Sequence, residues 1–454
     1  MKVVNPATEE VIREIAEDSE ESLKAKYQKL RDYQPVWAAV PLKERIAFID
    51  RFTQLLDEEK ETLAKDLTSE MGKPLSQAVG EVKGAIAKTR FFVENSEKHL
   101  AEEWVTTEGG TKEKITYEPY GVICNISAWN YPYLVGINIY IPALIGGNTV
   151  FYKPSEYSTL TGLHIERLLK KAGVPENAFQ IAIGGPAVGE VLLNLPLDGY
   201  FFTGSYKTGK YIAEKVAGKL VPVGLELGGK DPMYVCGDVP DIKTAAASAV
   251  EGVVYNNGQS CCAVERVYVH EKIYDEFVQH YVEELKSMKM GDPTEDGVQI
   301  GPLARKPQVE FLDYQIKDAL AKGAKLLAGG QIPERKGYFF EPAVLINVNH
   351  EMSLMKDESF GPITGIMKVA NDEEAIQLMN DTEYGLTAAV FTSDEKRANA
   401  IMQKLNSGTV YWNCCDRVSG SLPWSGRKNS GLGTTLSHLG ILTFVQPKGY
   451  HLRG

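Results

Sequence analysis

Gly121-Val122-Ile123-Cys124-Asn125-Ile126 is an apolar run of strand length, and Ser127-Ala128-Trp129-Asn130-Tyr131-Pro132 follows it as a turn. The alternation continues downstream. Residues 148–152, 179–183, 200–202 and 221–225 are further short apolar runs that suit buried strands, and helix-like segments such as 158–172 and 208–216 separate them. Strands alternating with helices imply βαβ units and a parallel sheet covered on both faces. Ligands of such sheets bind outside the carboxyl ends of the strands, so chemistry is expected in the strand-to-helix turns.

Outward from this core, residues 40–100 read as helical. Ile46, Ile49, Phe52 and Leu56 recur at near-helical spacing, and Gly72-Lys73-Pro74 punctuates the run. The expectation is a helical layer that buries one face and has no chemistry of its own. A second α/β section runs from about residue 229 to 428, with helix-like 272–288 and 306–322 and strand-like 387–392 and 409–412. The polar stretch 103–120, which contains Gly109-Gly110, reads as a hairpin, and the tail from Leu442 onward as a strand that pairs with it or a neighbour. No linker rich in Pro, Gly or Ser and no internal repeat divides the chain.

Length and composition narrow the function. A chain of 454 residues holds two or three domains. A net charge of −11, spread along the chain, repels phosphate backbones and excludes nucleic acid as the expected partner. The six cysteines form neither a disulfide ladder nor a C-x-x-C pattern, and the seven histidines show no zinc spacing, so no metal site is expected. Thiols of this kind suit a reducing compartment. The start lacks the apolar core of a signal peptide, and residues 131–147, interrupted by Asn138 and Pro142, fall short of the roughly 20 residues that span a membrane. The expectation is a soluble, cytoplasmic protein with no membrane partner.

Three motifs carry reactive groups. Asn256-Asn257-Gly258-Gln259-Ser260-Cys261-Cys262-Ala263 suggests a tight turn presenting a thiol to a cavity, although a cysteine taken alone is more often a small buried hydrophobe. Leu225-Glu226-Leu227-Gly228-Gly229-Lys230 puts a carboxylate at the end of an apolar strand, facing a site or solvent. Asn130 follows a strand and precedes a helix. Its amide can donate to a developing oxyanion or simply cap the helix.

Two further turns look like dinucleotide contacts, Lys153-Pro154-Ser155-Glu156 and the stretch from Phe202 to Gly209. The latter nearly matches a phosphate-binding P-loop. Tyr211, however, stands where a Ser or Thr would hold magnesium, and a glycine at a helix N-terminus can seat a pyrophosphate without a metal.

With Glu358-Ser359-Phe360-Gly361-Pro362 and the run from Pro423 to Gly431, these motifs stand in one order. The chain resembles the NAD(P)-dependent aldehyde dehydrogenase superfamily over nearly its whole length. The resemblance implies an α/β fold: a Rossmann-type nucleotide-binding domain over 1–102 and 119–228, an α/β catalytic domain over 229–430, and a small β oligomerisation flap from 103–118 and 431–454 that makes the protein a homo-oligomer.

It also implies roles. Cys261, two places after Gln259, is the nucleophile rather than Cys262. Its thiolate attacks a small-molecule aldehyde, Asn130 and the Cys261 N–H hold the oxyanion, and Glu226 activates the water that hydrolyses the thioester. Lys153, Ser155 and Glu156 meet the adenosine side of the cofactor. Trp129 and Ser205 lie along the pyrophosphate, Gly204 and Gly209 permit close approach of the helix, and Glu358 binds the nicotinamide ribose, with Thr203 and Phe360 near the ring and Leu227 a further cofactor contact. Glu156 would repel a 2′-phosphate, which favours NAD and leaves NADP open.

Substrate contacts are expected from Tyr131, Val135, Asn138, Val264, Val418 and Trp424, mostly apolar or aromatic, which suits a medium-sized, largely uncharged aldehyde and leaves succinic semialdehyde open without favouring it. Succinate-type members of the family carry an arginine where this chain has Asn138. Arg417 could replace it, or could pair with Asp416 in its own loop. The rival readings are a CoA-acylating relative, which generally lacks the glutamate, and a non-catalytic homologue, which would have lost one of the three reactive groups.

Overall fold

The computed structural model describes residues 1–107, 110–415 and 417–453. Residues 121–126 form a strand, Val122–Ile126, whose first four residues are buried, as both faces of a parallel sheet require. It lies inside a six-stranded sheet in the order Gly431–Leu432, Val223–Glu226, Gly199–Thr203, Val122–Ile126, Thr149–Lys153, Phe179–Ile181. Every neighbouring pair is parallel except the first. The chain therefore moves outward from Val122–Ile126 in one direction and then returns to build the other half. That reversal between Val122–Ile126 and Gly199–Thr203 is a topological switch point, where α/β sheets open a crevice for ligands.

A second sheet of seven strands has the order Lys325–Ala328, Ala343–Ile346, Ile363–Val369, Val264–His270, Asp231–Val235, Thr387–Phe391, Thr409–Trp412. Only its first pair is antiparallel. The hairpin and tail form a third, three-stranded antiparallel sheet, with Val445–Arg453 paired along Thr111–Pro119 from Val445↔Pro119 to Arg453↔Thr111. Gly110 has φ +76°, a turn conformation that suits glycine. Gly109 of the expected turn lies outside the described residues.

The tail divides differently from the sequence expectation for 431–454. Gly431–Leu432 pairs with Val223–Glu226 in the six-stranded sheet, and the short helix Ser437–Leu442 packs on the helical layer. Only Val445–Arg453 joins the flap, because the intervening residues carry the buried Leu436, Ile441 and Phe444 that belong to the main core.

The N-terminal layer consists of α1 (Glu20–Ala39), α2 (Leu42–Met71) and α3 (Leu75–His99). The next helix, α4 (Ile137–Ile145), follows the first strand and is buried at all nine positions. On α3 the buried Ala78, Val82, Ala85, Thr89 and Phe92 recur at intervals of three and four, a stripe that faces inward. Gly72 ends α2 at φ +75°, and a Cβ there would come 2.6 Å from the Pro302 ring. Among the described residues no helix is long and apolar enough to cross a membrane.

Candidate active site

Glu226 ends its strand, and Asn130 follows the strand at the switch point. Both line a cleft of about 850 Å³ together with Cys261. The same cleft is walled by Trp129, Lys153, Ser155, Glu156, Thr203, Gly204, Ser205, Leu227, Glu358 and Phe360. Of the residues expected at the cofactor, Gly209 alone stands behind the wall. Its absent side chain lets the helix Tyr206–Val216 approach Leu227, whose Cδ2 would lie 2.3 Å from a Cβ. Ser205 caps that helix, accepting from the Thr208 N–H at 3.4 Å, so the positive helix end opens into the cleft.

The turn carrying Cys261 is built from left-handed backbone. Asn256, Asn257 and Gly258 have φ of +55°, +56° and +71°. Asparagine tolerates this region better than other residues with a Cβ, and Gly258 has no alternative, since a Cβ would lie 2.2 Å from the Gly361 carbonyl carbon. Each polar side chain of the motif then holds a neighbour. Asn257 Oδ1 accepts from the Gly301 N–H at 2.7 Å, its Nδ2 donates to the Pro302 carbonyl at 2.8 Å, and Gln259 Oε1 accepts from the Ala304 N–H at 2.9 Å. Cys261 is half-buried and reaches the cleft, whereas Cys262 is buried beside Ser260.

Asn130 is not a helix cap, since α4 begins only at Ile137. Its Nδ2 donates to the Gln259 carbonyl at 3.0 Å, and its own carbonyl accepts from Lys73 Nζ at 2.9 Å and Asn256 Nδ2 at 3.0 Å. Glu226 accepts from the hydroxyls of Thr435 and, at 3.4 Å, Thr203. Burial raises its pKa above the ordinary glutamate value, against the hydrogen bond from Thr435 and the charge of Lys88.

The two glycines after Glu226 make room for Glu358. A Cβ on Gly228 would lie 2.3 Å from its carboxylate, and the Gly229 N–H donates to it at 3.1 Å. Burial pushes the Glu358 carboxyl up to about 8. Beneath it, Lys230 and Glu265 form a buried ion pair at 2.6 Å. Glu265 also accepts from the Ser359 and Phe360 N–H groups at 2.8 and 2.9 Å. This holds Phe360 at φ +49°, a strained value for an aromatic residue, with its ring edge-on to Trp129 at 5.3 Å.

The expected substrate residues are scattered. Asn138 is buried on α4 and accepts from Lys88 Nζ at 3.3 Å. Trp424 is buried and bonds Thr435 through the main chain at 2.7 and 2.9 Å, which places it behind Glu226. The Tyr131 ring is covered by Lys73 Nζ, 3.9 Å from its centroid. Val135 and Val264 are buried, and Val418 is exposed. Arg417 is not brought to the cleft. Its guanidinium reaches Glu251 at 3.4 Å, and Asp416 lies outside the described residues.

The helical layer is not free of chemistry. From α3, Lys88 lies within the electrostatic reach of Glu226 and Cys261, and Glu81 pairs with Lys73 beneath Asn130. Arg305 was also unmarked by the sequence. Its guanidinium lies 5.3 Å from the Trp129 ring and 5.6 Å from Tyr157 in the cleft wall, and its Nε has no hydrogen-bond partner. A lysine on an amphipathic helix and an arginine just before one usually mark solvent faces, so no sequence signal separates these two from the rest.

Comparison with known proteins places this geometry. The aldehyde dehydrogenase family model matches residues 1–449. A chloroplastic aminoaldehyde dehydrogenase of Arabidopsis thaliana is 35% identical over 98% of this chain and 91% of its own length. The NADP-dependent succinate-semialdehyde dehydrogenase of Deinococcus radiodurans is 34% identical over 98% and 93%. The crystal structure of Staphylococcus aureus betaine aldehyde dehydrogenase with NAD+ superposes with a TM-score of 0.96 at 30% identity, covering 100% of this chain and 92% of that one.

The chain belongs to the aldehyde dehydrogenase family. Its activity is accordingly the oxidation of an aldehyde to the acid with a nicotinamide dinucleotide.

Proposed function

We propose that Cys261 is the nucleophile, Asn130 the oxyanion donor and Glu226 the base that activates the hydrolytic water. The observation that supports these roles is the convergence of all three on one cleft with the dinucleotide-facing turns. The Cys261 sulfur forms a bond to the aldehyde carbon, and the carbonyl oxygen takes the negative charge. Asn130 Nδ2 has two N–H groups. One is bound to the Gln259 carbonyl, and the other is left for that oxygen. Loss of hydride from the same carbon leaves a thioester on Cys261. Glu226 takes a proton from water as the water oxygen attacks, and the thiolate leaves with the acid formed.

The cleft fits a dinucleotide. Its volume suits a bound cofactor, the N-terminus of Tyr206–Val216 can face a pyrophosphate, and Lys153 and Glu156, 3.9 Å apart, can hold ribose hydroxyls. When bound, the nicotinamide supplies the hydride acceptor. Thr203, Leu227, Glu358 and Phe360 would flank its riboside, with Trp129, Ser155, Gly204 and Ser205 along the remainder. Glu156 favours NAD over NADP.

Residues 1–102 and 119–228 act as the dinucleotide-binding domain and 229–430 as the catalytic domain. The flap makes a homo-oligomer, because Val445–Arg453 presents an open edge, and so does Thr409–Trp412 with Val410 and Trp412 exposed. Six free thiols favour the cytoplasm.

Purified protein incubated with NAD and an aldehyde should produce NADH and a free acid without coenzyme A. Acid formation that requires coenzyme A, or no turnover of any aldehyde, would refute this assignment.

A further inference from the structure

Lys88 is a buried cation short of partners. It sits on α3, 8% exposed, one turn beyond Ala85 and two beyond Glu81 on a stripe that faces α4. An ammonium carries three N–H donors. Among the described residues one hydrogen bond serves Lys88, that to Asn138 Oδ1 at 3.3 Å, and no carboxylate lies within 4 Å of it.

Both neighbouring acids are occupied elsewhere. Glu81 is held by Lys73 and, at 2.9 Å, by the Tyr133 N–H, while Glu226 is held by Thr435, Thr203 and Asn138. Burial disfavours the charge of Lys88 most strongly, and Glu226, Cys261, Cys262 and Glu81 draw it back. A cation that is buried and incompletely paired is costly unless something supplies the missing anion.

On the reading of Cys261 and Glu226 given above, we propose that Lys88 receives a carboxylate of the substrate, so that the enzyme's aldehydes are short ω-carboxylated ones. Asn138 is a second contact. With its Oδ1 turned to Lys88, its amide N–H groups face the same space as Glu226.

The electrostatics discriminate among the substrates named for the relatives. Aminoaldehyde and betaine aldehyde dehydrogenases are among them, and both names denote a cationic aldehyde. Here a cation would meet Lys88. On Tyr131, the ring face nearest Lys73 Nζ is already taken by a cation and is closed to a quaternary ammonium. The succinate-semialdehyde relative names an anionic substrate, which Lys88 would attract.

The test compares kcat/KM for succinic semialdehyde, pentanal and betaine aldehyde in the wild type, Lys88→Met and Lys88→Arg. An unpaired buried polar group costs about 1–3 kcal/mol, so succinic semialdehyde should exceed pentanal by about 10- to 100-fold, mainly through KM. Betaine aldehyde should be the poorest of the three. Lys88→Met should collapse the succinic semialdehyde to pentanal ratio towards unity, and Lys88→Arg should restore part of it. A wild type that shows no preference for the carboxylate, or that prefers betaine aldehyde, overturns the proposal even if neither variant folds. So does an unchanged ratio in Lys88→Met. If the wild type oxidises none of the three but turns over another aldehyde, only the carboxylate proposal falls; if it turns over no aldehyde at all, the assignment of the reactive residues falls as well, and the two failures are thereby told apart.

Discussion

The side-chain amide of Asn130 donates to the main-chain carbonyl of Gln259 at 3.0 Å, which ties the loop after the first strand of one sheet to the turn that presents Cys261. The amide is thereby held against the turn that carries the thiol, as the proposed oxyanion role requires. Replacing Asn130 with Ala removes both the anchor and the remaining donor. Hydride transfer in a single turnover should slow by about 10²- to 10³-fold. A variant with wild-type hydride transfer would show that the amide does not stabilise the reacting oxygen.

On the proposed assignment, Glu226 acts in thioester hydrolysis. Burial raises its pKa above the ordinary 4.5, so the ionised base is lost as pH falls through that raised value. The acid limb of steady-state kcat should accordingly lie above pH 4.5. Glu226→Gln should give a burst of NADH followed by slow turnover with no such limb. An unchanged steady-state rate would remove Glu226 from deacylation.

The six thiols should differ sharply in reactivity. Burial pushes Cys124 and Cys236 up to about 12, and Cys262 and Cys415 are buried as well. Iodoacetamide labelling followed by mass spectrometry should find Cys261 modified first, in step with loss of activity. Cys262→Ala should keep its activity, since that sulfur lies behind the cleft wall.

The Lys230–Glu265 pair is a structural keystone for the cofactor side. Glu265→Gln leaves a buried lysine without its counter-charge, at a cost of about 3–5 kcal/mol. It also weakens the seat of Ser359 and Phe360. Urea unfolding should show the loss, and titration calorimetry should show weaker binding of the dinucleotide. Unaltered stability would mean that the pair contributes nothing net.

Glu156 is 3.9 Å from Lys153 and accepts from Ser155 Oγ at 3.3 Å on the adenosine side of the cleft. Two like charges about 4 Å apart repel by about 1 kcal/mol in water and more near a protein surface. Glu156→Gln should therefore raise the NADP to NAD ratio of kcat/KM by about tenfold. A wild type that already prefers NADP would contradict the assignment.

Much of this molecule was legible in the sequence because the signals are local. Apolar runs of strand length alternate with helices, and that alone implies the parallel sheets. The Asn-Asn-Gly turn needs left-handed backbone wherever it folds, and the glycines after Glu226 leave space beside a strand end whatever their neighbours. What the linear order could not reveal is which charged side chains turn inward. Lys88 looks like one more lysine on an amphipathic helix, and Glu265 like a polar residue within a strand. Arg417, a cation that the sequence offered as a substrate contact, turned instead to Glu251. Burial and pairing depend on elements far apart in the chain: Lys88 meets Asn138 fifty residues away, and Lys230 meets Ser359 across 129. The sequence alone determined the fold class and singled out the thiol proposed as the nucleophile. Only tertiary packing decided which cation comes within electrostatic reach of that thiol, because the cost of an incompletely paired charge arises only when the helices close over it.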